Sequence, residues 1–286
     1  MSPREQFVAR SQGRIFVRDY PGTGPAFVLM HGFPDDGRIY DDLIPELVQG
    51  GRRVVVFDFL GFGRSDKRPD IKYSFTLQLE DLEAVVDALD LTTLVPVGHD
   101  ASGPAAINFA LDHPERVASI CLLNSFYGAS PHIRIPELIT LFATTSLKAL
   151  STAMLSDTEQ FDWLLRLQQS AFCDALPKSQ QTRFLTTVVP IMNANLSGDH
   201  GSRLAFSQIT EQLFPEVRKN TARLLQLGPL TVPATFIWGQ HDPYLTTGVA
   251  QDLLPYFRSP KLECLPAGHW PQLDAPRDVG RLMLRC

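Results

Sequence analysis

The sequence predicts an α/β fold in which helices flank a mostly parallel central sheet and a helical cap is inserted into the chain. In the first 127 residues, continuous apolar runs alternate with helical segments, a pattern typical of a parallel sheet covered on both faces. Strand signals nearly vanish over residues 128–230 and resume afterwards. We therefore predict a core domain from residues 1–127 and 231–286, with a cap, or lid, at 128–230.

The predicted core strands share short apolar runs that are bounded by turn residues. They cover residues 14–19, 26–30, 53–57, 94–97, 118–123, 233–238 and 261–265. Helical spacing of apolar residues predicts core helices over 40–49, 79–89 and 105–111. In the cap, helical runs are predicted at 136–150, 158–167 and 207–227, with a breaker at 197–202.

Composition and charge exclude several classes of function. A formal net charge of −5 gives no electrostatic reason to expect nucleic acid or an anionic membrane as a partner. No apolar run approaches the roughly 18 residues of a membrane span, and the N-terminus lacks the apolar stretch of a signal peptide. The four cysteines form no C-x-x-C motif. We expect a cytoplasmic monomer or homodimer with no metal and no cofactor.

Chemically reactive residues follow several of the predicted strands. Asp100, in GHDASG, follows one strand, Asp242 follows another, and His269 follows the last. Ligands of an open parallel sheet bind at the carboxyl ends of its strands, so these side chains are expected to meet. Their order along the chain is candidate nucleophile, acid and histidine.

The GHDASG stretch has the layout of a nucleophile elbow, a sharp turn between a strand and a helix. Such a turn requires small residues two positions before and two positions after the nucleophile. Gly98 and Ser102 flank Asp100 in this way, whereas Asp100 and Pro104 would flank Ser102. The spacing therefore favours Asp100 over Ser102 as the nucleophile.

These motifs resemble the α/β-hydrolase fold, in the branch that contains haloalkane dehalogenases and epoxide hydrolases. HGFP at 31–34 resembles the oxyanion loop of both families. DFLGFGRSDKRP at 58–69 is similar to dehalogenases, while VGHD and LLNSF look more like epoxide hydrolases. The resemblance implies Asp100 as nucleophile, Asp242 as acid and His269 as base.

An aspartate nucleophile restricts the types of reaction that the protein could catalyse. A carboxylate can displace a leaving group from a saturated carbon to give an alkyl-enzyme ester. His269, oriented by Asp242, would then activate water to hydrolyse it, and the backbone N–H groups of Phe33 and Ala101 would receive the oxyanion. The N-terminus of the following helix is expected to keep Asp100 ionised, with a low pKa.

The residues that stabilise the leaving group in these two families are not found at the corresponding positions of this sequence. Haloalkane dehalogenases usually carry tryptophan directly after the nucleophile, where this chain has Ala101, and epoxide hydrolases use cap tyrosines. There is no tyrosine between residues 128 and 243. The candidate substrate or leaving-group contacts are Trp163, Asn124, Tyr127 and His132.

We therefore expect a hydrolase that acts on a small, apolar organic substrate with water, in the manner of a haloalkane dehalogenase. The first alternative is an epoxide hydrolase with a non-standard leaving-group donor. A non-hydrolytic enzyme on this fold, such as a lyase or a cofactor-free oxygenase, or a binding protein, is the further alternative.

Overall fold

A computed structural model describes residues 2–197 and 201–286. Its strands form one eight-stranded sheet, in the order β1-β2-β4-β3-β5-β6-β7-β8. The strands are β1 (Arg4–Ala9), β2 (Arg14–Tyr20), β3 (Thr23–Met30), β4 (Arg52–Phe57), β5 (Leu94–Asp100), β6 (Ile120–Ser125), β7 (Ala234–Gly239) and β8 (Pro260–Leu265). The predicted mostly parallel sheet is confirmed.

The sheet has one antiparallel edge and a parallel body. β1 pairs with β2 and β2 pairs with β4, both antiparallel, while every pairing from β4 across to β8 is parallel. β5 and β6 are almost wholly buried, because their apolar runs face helices on both sides. The sequence pattern missed β1, whose residues are mostly exposed at the edge.

Helices cover the sheet and follow its strands. The helices of the predicted core domain are α1 (Ile44–Gln49), α2 (Phe75–Ala88), α3 (Gly103–Asp112), α11 (Thr247–Leu253), α12 (Pro271–Asp274) and α13 (Pro276–Met283). α1 packs against α13, and α2 packs against α3. α3 begins three residues after Asp100, so its N-terminus faces the end of β5.

Helices dominate the described part of the segment between β6 and β7. Its helices are α4 (Glu137–Ala143), α5 (Lys148–Ser156), α6 (Thr158–Ala175), α7 (Lys178–Arg183), α8 (Val189–Leu196), α9 (Ser202–Glu211) and α10 (Leu213–Arg223). Residues 198–200 of the predicted breaker lie outside the described residues. The division at 128 and 230 stays a prediction.

Among the described residues, no single helix is long and apolar enough to cross a membrane. The sharply bent pair formed by Glu137–Ala143 and Thr145–Ser156 meets the length and composition criteria when its two parts are combined.

Candidate active site

Asp100 occupies a strained turn between β5 and α3. Its φ of 50° lies in the left-handed region, which non-glycine residues rarely adopt. The turn is tight: a Cβ on Gly98 would lie 2.9 Å from the Cα of Gly103, and a Cβ on Gly103 would lie 1.9 Å from Ser125 Oγ. Small residues are therefore required around Asp100, as the sequence predicts for an elbow.

The Asp100 carboxylate meets the backbone of the HGFP loop. The Phe33 N–H donates to Asp100 Oδ2 over 3.2 Å. A Cβ on Gly32 would lie 2.5 Å from the same oxygen, so only glycine allows this approach. The Ala101 N–H also favours the ionised carboxylate. The two backbone donors expected from the sequence thus both act on Asp100.

The expected low pKa of Asp100 is not what the structure gives. Burial raises the pKa of this carboxyl, and its effect outweighs the opposing influence of His269 and of the N–H groups of Ala101 and Phe33. The charge of His269 and the two backbone hydrogen bonds limit this rise in the pKa of Asp100 without reversing it.

Ser102 is enclosed within the turn. Its side chain is fully buried, and its Oγ accepts from the His99 N–H over 2.8 Å. The same hydroxyl contacts the carbonyl oxygens of His99 and Met30 at 2.8 and 2.9 Å. The Ser102 hydroxyl holds the turn together and does not face the cavity above it.

His269 lies beside Asp100, in the loop that follows β8. Its Nε2 is 4.0 Å from Asp100 Oδ1, and its Nδ1 is 2.7 Å from Asp242 Oδ2. Burial disfavours the imidazolium, but the charges of Asp242 and Asp100 outweigh it and raise the pKa of His269 to about 9. The three predicted residues therefore meet as a carboxylate–histidine–carboxylate constellation.

Asp242 is fixed by four hydrogen bonds. Its Oδ1 accepts the N–H groups of Tyr244 and Leu245 over 2.9 and 3.0 Å. Its Oδ2 accepts from His269 and, over 2.8 Å, from Asn124 Nδ2. Asn124 is fully buried at the end of β6. The structure therefore gives Asn124 the role of holding Asp242, in place of the predicted substrate contact.

A second layer of polar groups lies beneath His269. His99 Nε2 is 2.9 Å from the His269 carbonyl oxygen, and the Trp270 indole N–H donates to Asp35 Oδ2 over 2.8 Å. Burial raises the pKa of Asp35 to about 7. These groups fix the position of the loop that carries His269.

A cavity of about 260 Å³ lies between the strand ends and the helices that follow β6. Most of its wall is apolar, with residues from α4, α6, α8, α9 and α10. Its polar lining residues are Asp100, Ser130, Arg134, Gln168, Tyr244 and His269. Asp100 and His269 therefore line a cavity that is suited to a small apolar molecule.

Three further predicted contacts lie away from this cavity. Trp163 is 56% exposed, because it is two positions from the buried Phe161 on α6 and so faces the other side of that helix. His132 Nδ1 is 2.9 Å from Asp252, outside the cavity. The buried Tyr127 donates its hydroxyl to Asn108 over 2.7 Å. Trp163, His132 and Tyr127 are therefore not among the residues that line this cavity, and their substrate roles stay predictions.

The sequence reasoning missed four polar residues of the cavity, and two of them, Gln168 and Tyr244, contact each other. Gln168 Nε2 donates to the Tyr244 hydroxyl over 2.9 Å. A signal existed for each residue. Tyr244 follows Asp242 by two positions, and Gln168 is an amide on the same helical face as Leu165 and Phe172.

We also searched the described residues, 2–197 and 201–286, for a metal site. They contain no group of three or more histidine, cysteine or acidic side chains that could hold a metal ion.

Comparison with known proteins places this chain in a family. The profile of a family described as alpha/beta hydrolase fold matches residues 25–276. The chain belongs to that family. A thermophilic esterase from Thermogutta terrifontis has a TM-score of 0.76, with 99% of this chain and 97% of that one covered. At 19% identity, this likeness shows the fold alone.

The similar curated proteins include two kinds of hydrolase. Haloalkane dehalogenase 2 of Mycobacterium tuberculosis is 29% identical over 280 residues, which cover 96% of this chain and 91% of that protein. Bifunctional epoxide hydrolase 2 of Sus scrofa is 25% identical over 302 residues, with 92% and 51% covered. The chain thus spans about half the length of the bifunctional epoxide hydrolases that it matches.

Proposed function

We propose that this protein is a hydrolase in which Asp100 attacks a saturated carbon of a small, apolar substrate and forms a covalent ester. One observation carries the proposal: the elbow presents a carboxylate to the cavity, 4.0 Å from the Nε2 of a histidine that is paired with a second carboxylate. A carboxylate that attacked an acyl group would give a mixed anhydride, whereas attack on a saturated carbon gives a stable ester.

The two oxygens of Asp100 are suited to different tasks. Oδ2 accepts the Phe33 N–H, while Oδ1 lies nearer to His269. We assign attack on the substrate to Oδ1, which forms the bond to carbon as the leaving group departs. Oδ2 then becomes the ester carbonyl oxygen, and the Phe33 and Ala101 N–H groups stabilise its negative charge when water adds to Cγ.

Formation of the ester also prepares His269 to act as a base. With its pKa at about 9, His269 is a cation in the free protein at neutral pH. Esterification of Asp100 removes one of the three carboxylate charges, those of Asp242, Asp100 and Asp35, that raise this pKa. The imidazole can then release its proton and accept one from water. The first step thereby favours the protonation state that the second step requires.

The cavity supports the substrate class. Its size and its apolar lining from the helices after β6 suit a small organic molecule with one reactive carbon. The related haloalkane dehalogenases and epoxide hydrolases fit this requirement by name, with halide or epoxide oxygen as the leaving group.

The test is to trap the ester. His269→Gln should form the ester but fail to hydrolyse it, so incubation with bromobutane or with styrene oxide should add the alkyl group to the peptide that contains Asp100. Intact-mass and peptide mass spectrometry detect the addition. Wild-type protein should release bromide or diol instead.

Two variants control this experiment. Asp100→Asn in the His269→Gln background should abolish the addition. His132→Gln alters a histidine–carboxylate pair outside the cavity and should turn over like the wild type. If neither electrophile modifies Asp100 and neither product is released, covalent hydrolysis is excluded, and a non-hydrolytic enzyme or a binding protein becomes the better interpretation.

A further inference from the structure

Tyr244 lies in the wall of the same cavity as Asp100 and His269. The Tyr244 ring centroid is 5.0 Å from that of Phe172, which is 5.8 Å from that of His269. Tyr244 belongs to the loop after β7, and its backbone N–H holds Asp242. The phenol is thus carried by the same loop that fixes the acid.

Hydrogen bonding to Gln168 determines where the phenol proton points. Gln168 Oε1 accepts the Leu138 N–H over 2.9 Å, so the Nε2 group at the other end of this buried amide faces Tyr244 and donates to its oxygen. The Tyr244 O–H must therefore donate elsewhere. Glu137 Oε2 accepts it at 3.4 Å, which is long for an O–H···O bond, and Glu137 is exposed.

A stronger acceptor in the cavity can displace this weak contact. Burial raises the pKa of Tyr244 to about 12, so the phenol keeps its proton at neutral pH. A phenol is still more acidic than an alcohol, and it can therefore transfer its proton to an alkoxide. These properties suit a donor to a leaving oxygen.

The tryptophans do not offer a corresponding site for a halide. The Trp270 N–H donates to Asp35, the Trp238 N–H donates to the Leu245 carbonyl, and Trp163 is 56% exposed. The two buried indole N–H groups thus already have acceptors, and Trp163 is not among the residues that line the cavity.

We propose that Tyr244, oriented by Gln168, is a catalytic residue that protonates the leaving oxygen, and that the substrate is therefore an epoxide. This inference rests on the proposed function of Asp100. The bond from Asp100 Oδ1 to carbon forms as the ring C–O bond breaks, and the ring oxygen takes the Tyr244 proton.

Hydrolysis of the Asp100 ester then completes the reaction. Water gives one proton to His269 and adds its oxygen to Cγ of Asp100. The bond between Cγ and the alkylated oxygen breaks, and this oxygen takes the second proton of the water, so that a diol leaves and Asp100 is again a carboxylate. The proton held by His269 returns through solvent to the Tyr244 phenolate. The net reaction is epoxide plus water to diol.

The test measures ester formation alone, so a disturbed hydrolysis step does not affect the result. Tyr244→Phe is introduced in the His269→Gln background, and the rate of ester formation is measured by rapid quench and mass spectrometry. With styrene oxide we expect a loss of about 100-fold or more, the usual contribution of a general acid. With bromobutane, whose leaving group needs no proton, we expect less than about a threefold change.

Two control variants, Tyr256→Phe and Arg134→Ala, make the result decisive. Tyr256→Phe removes a phenol from outside the cavity and should have no effect. An unchanged rate with styrene oxide in Tyr244→Phe overturns the proposal. An equal loss with both electrophiles overturns the epoxide assignment. A comparable loss in Arg134→Ala, at an exposed residue of the cavity wall, assigns the donor to Arg134 instead.

A failure of the proposed function gives a different result. In that case no ester forms with either electrophile in the parent His269→Gln protein, before any change at Tyr244. Circular dichroism and thermal unfolding confirm that Tyr244→Phe is folded, since this change keeps the ring that packs on Phe172.

Discussion

Replacing Asp242 with asparagine should slow ester hydrolysis far more than ester formation. Asp242 Oδ2 accepts from His269 Nδ1 over 2.7 Å, and this carboxylate is the main cause that raises the pKa of His269 to about 9. Asparagine keeps the shape of the side chain but removes its charge. The pKa of His269 should then fall, because burial continues to oppose the imidazolium.

The magnitude follows from the pKa shift. A rise from 6.5 to about 9 corresponds to roughly 3 kcal/mol of preference for the imidazolium. The carboxylates supply more than this, because burial opposes them, and Asp242 contributes more than Asp100. Losing about 2 kcal/mol slows a step that develops positive charge on His269 by roughly 30-fold, and loss of the ring's orientation brings the total to about 100-fold.

Rapid-quench kinetics separate the two steps. In Asp242→Asn the ester should accumulate, with its formation rate changed by less than about tenfold and its hydrolysis rate lowered by about 100-fold. Hydrolysis needs neutral His269, so its rate should rise with pH, and in the variant this rise should move to lower pH. The reasoning is refuted if the pH profile does not move or if ester formation is lost to the same extent. Asp252→Asn, which removes the partner of the surface residue His132, is the matched control.

Two further predictions concern buried groups. Ser102→Ala should lower the free energy of unfolding by about 1–3 kcal/mol, because the contacts of its hydroxyl with His99 and Met30 are lost, while ester formation continues. Loss of ester formation in a folded Ser102→Ala protein would identify Ser102 as the nucleophile. The pKa of Asp35 is 3.8 in the unfolded chain, and burial raises it to about 7 in the folded protein. The contribution of Asp35 to the free energy of unfolding therefore falls as the pH rises from the first value to the second, by at most roughly 4 kcal/mol. Asp35→Asn should therefore become more stable, relative to the wild type, between about pH 5 and about pH 8 in urea unfolding; a constant difference would contradict this.

The fold and the elbow could be predicted because their signals are local. A buried strand has a continuous apolar run, and a tight turn requires Gly98 and Gly103 in the chain itself. The places of Asp242 and His269 then follow from topology, since the ends of parallel strands meet at one edge. Strand β1 was missed because an exposed edge strand lacks the apolar run.

The cavity wall could not be predicted in the same way, because it depends on how helices from distant parts of the chain pack together. Aromatic character suggested Trp163, but helical periodicity from Phe161 places it on the exposed side of α6. A better indication of a residue in the cavity wall is a polar side chain on an otherwise apolar helical face, and this pattern identifies Gln168.

Asn124 illustrates a different limit of sequence reasoning. An amide at a strand end can contact a substrate or hold a neighbouring carboxylate, and the sequence does not distinguish these roles. The structure does, because Asn124 donates to Asp242 and accepts the Gly239 N–H over 2.6 Å, with its side chain fully buried. Its effect on the reaction is therefore indirect: by fixing the charge beside His269, Asn124 helps to set the pKa on which ester hydrolysis depends.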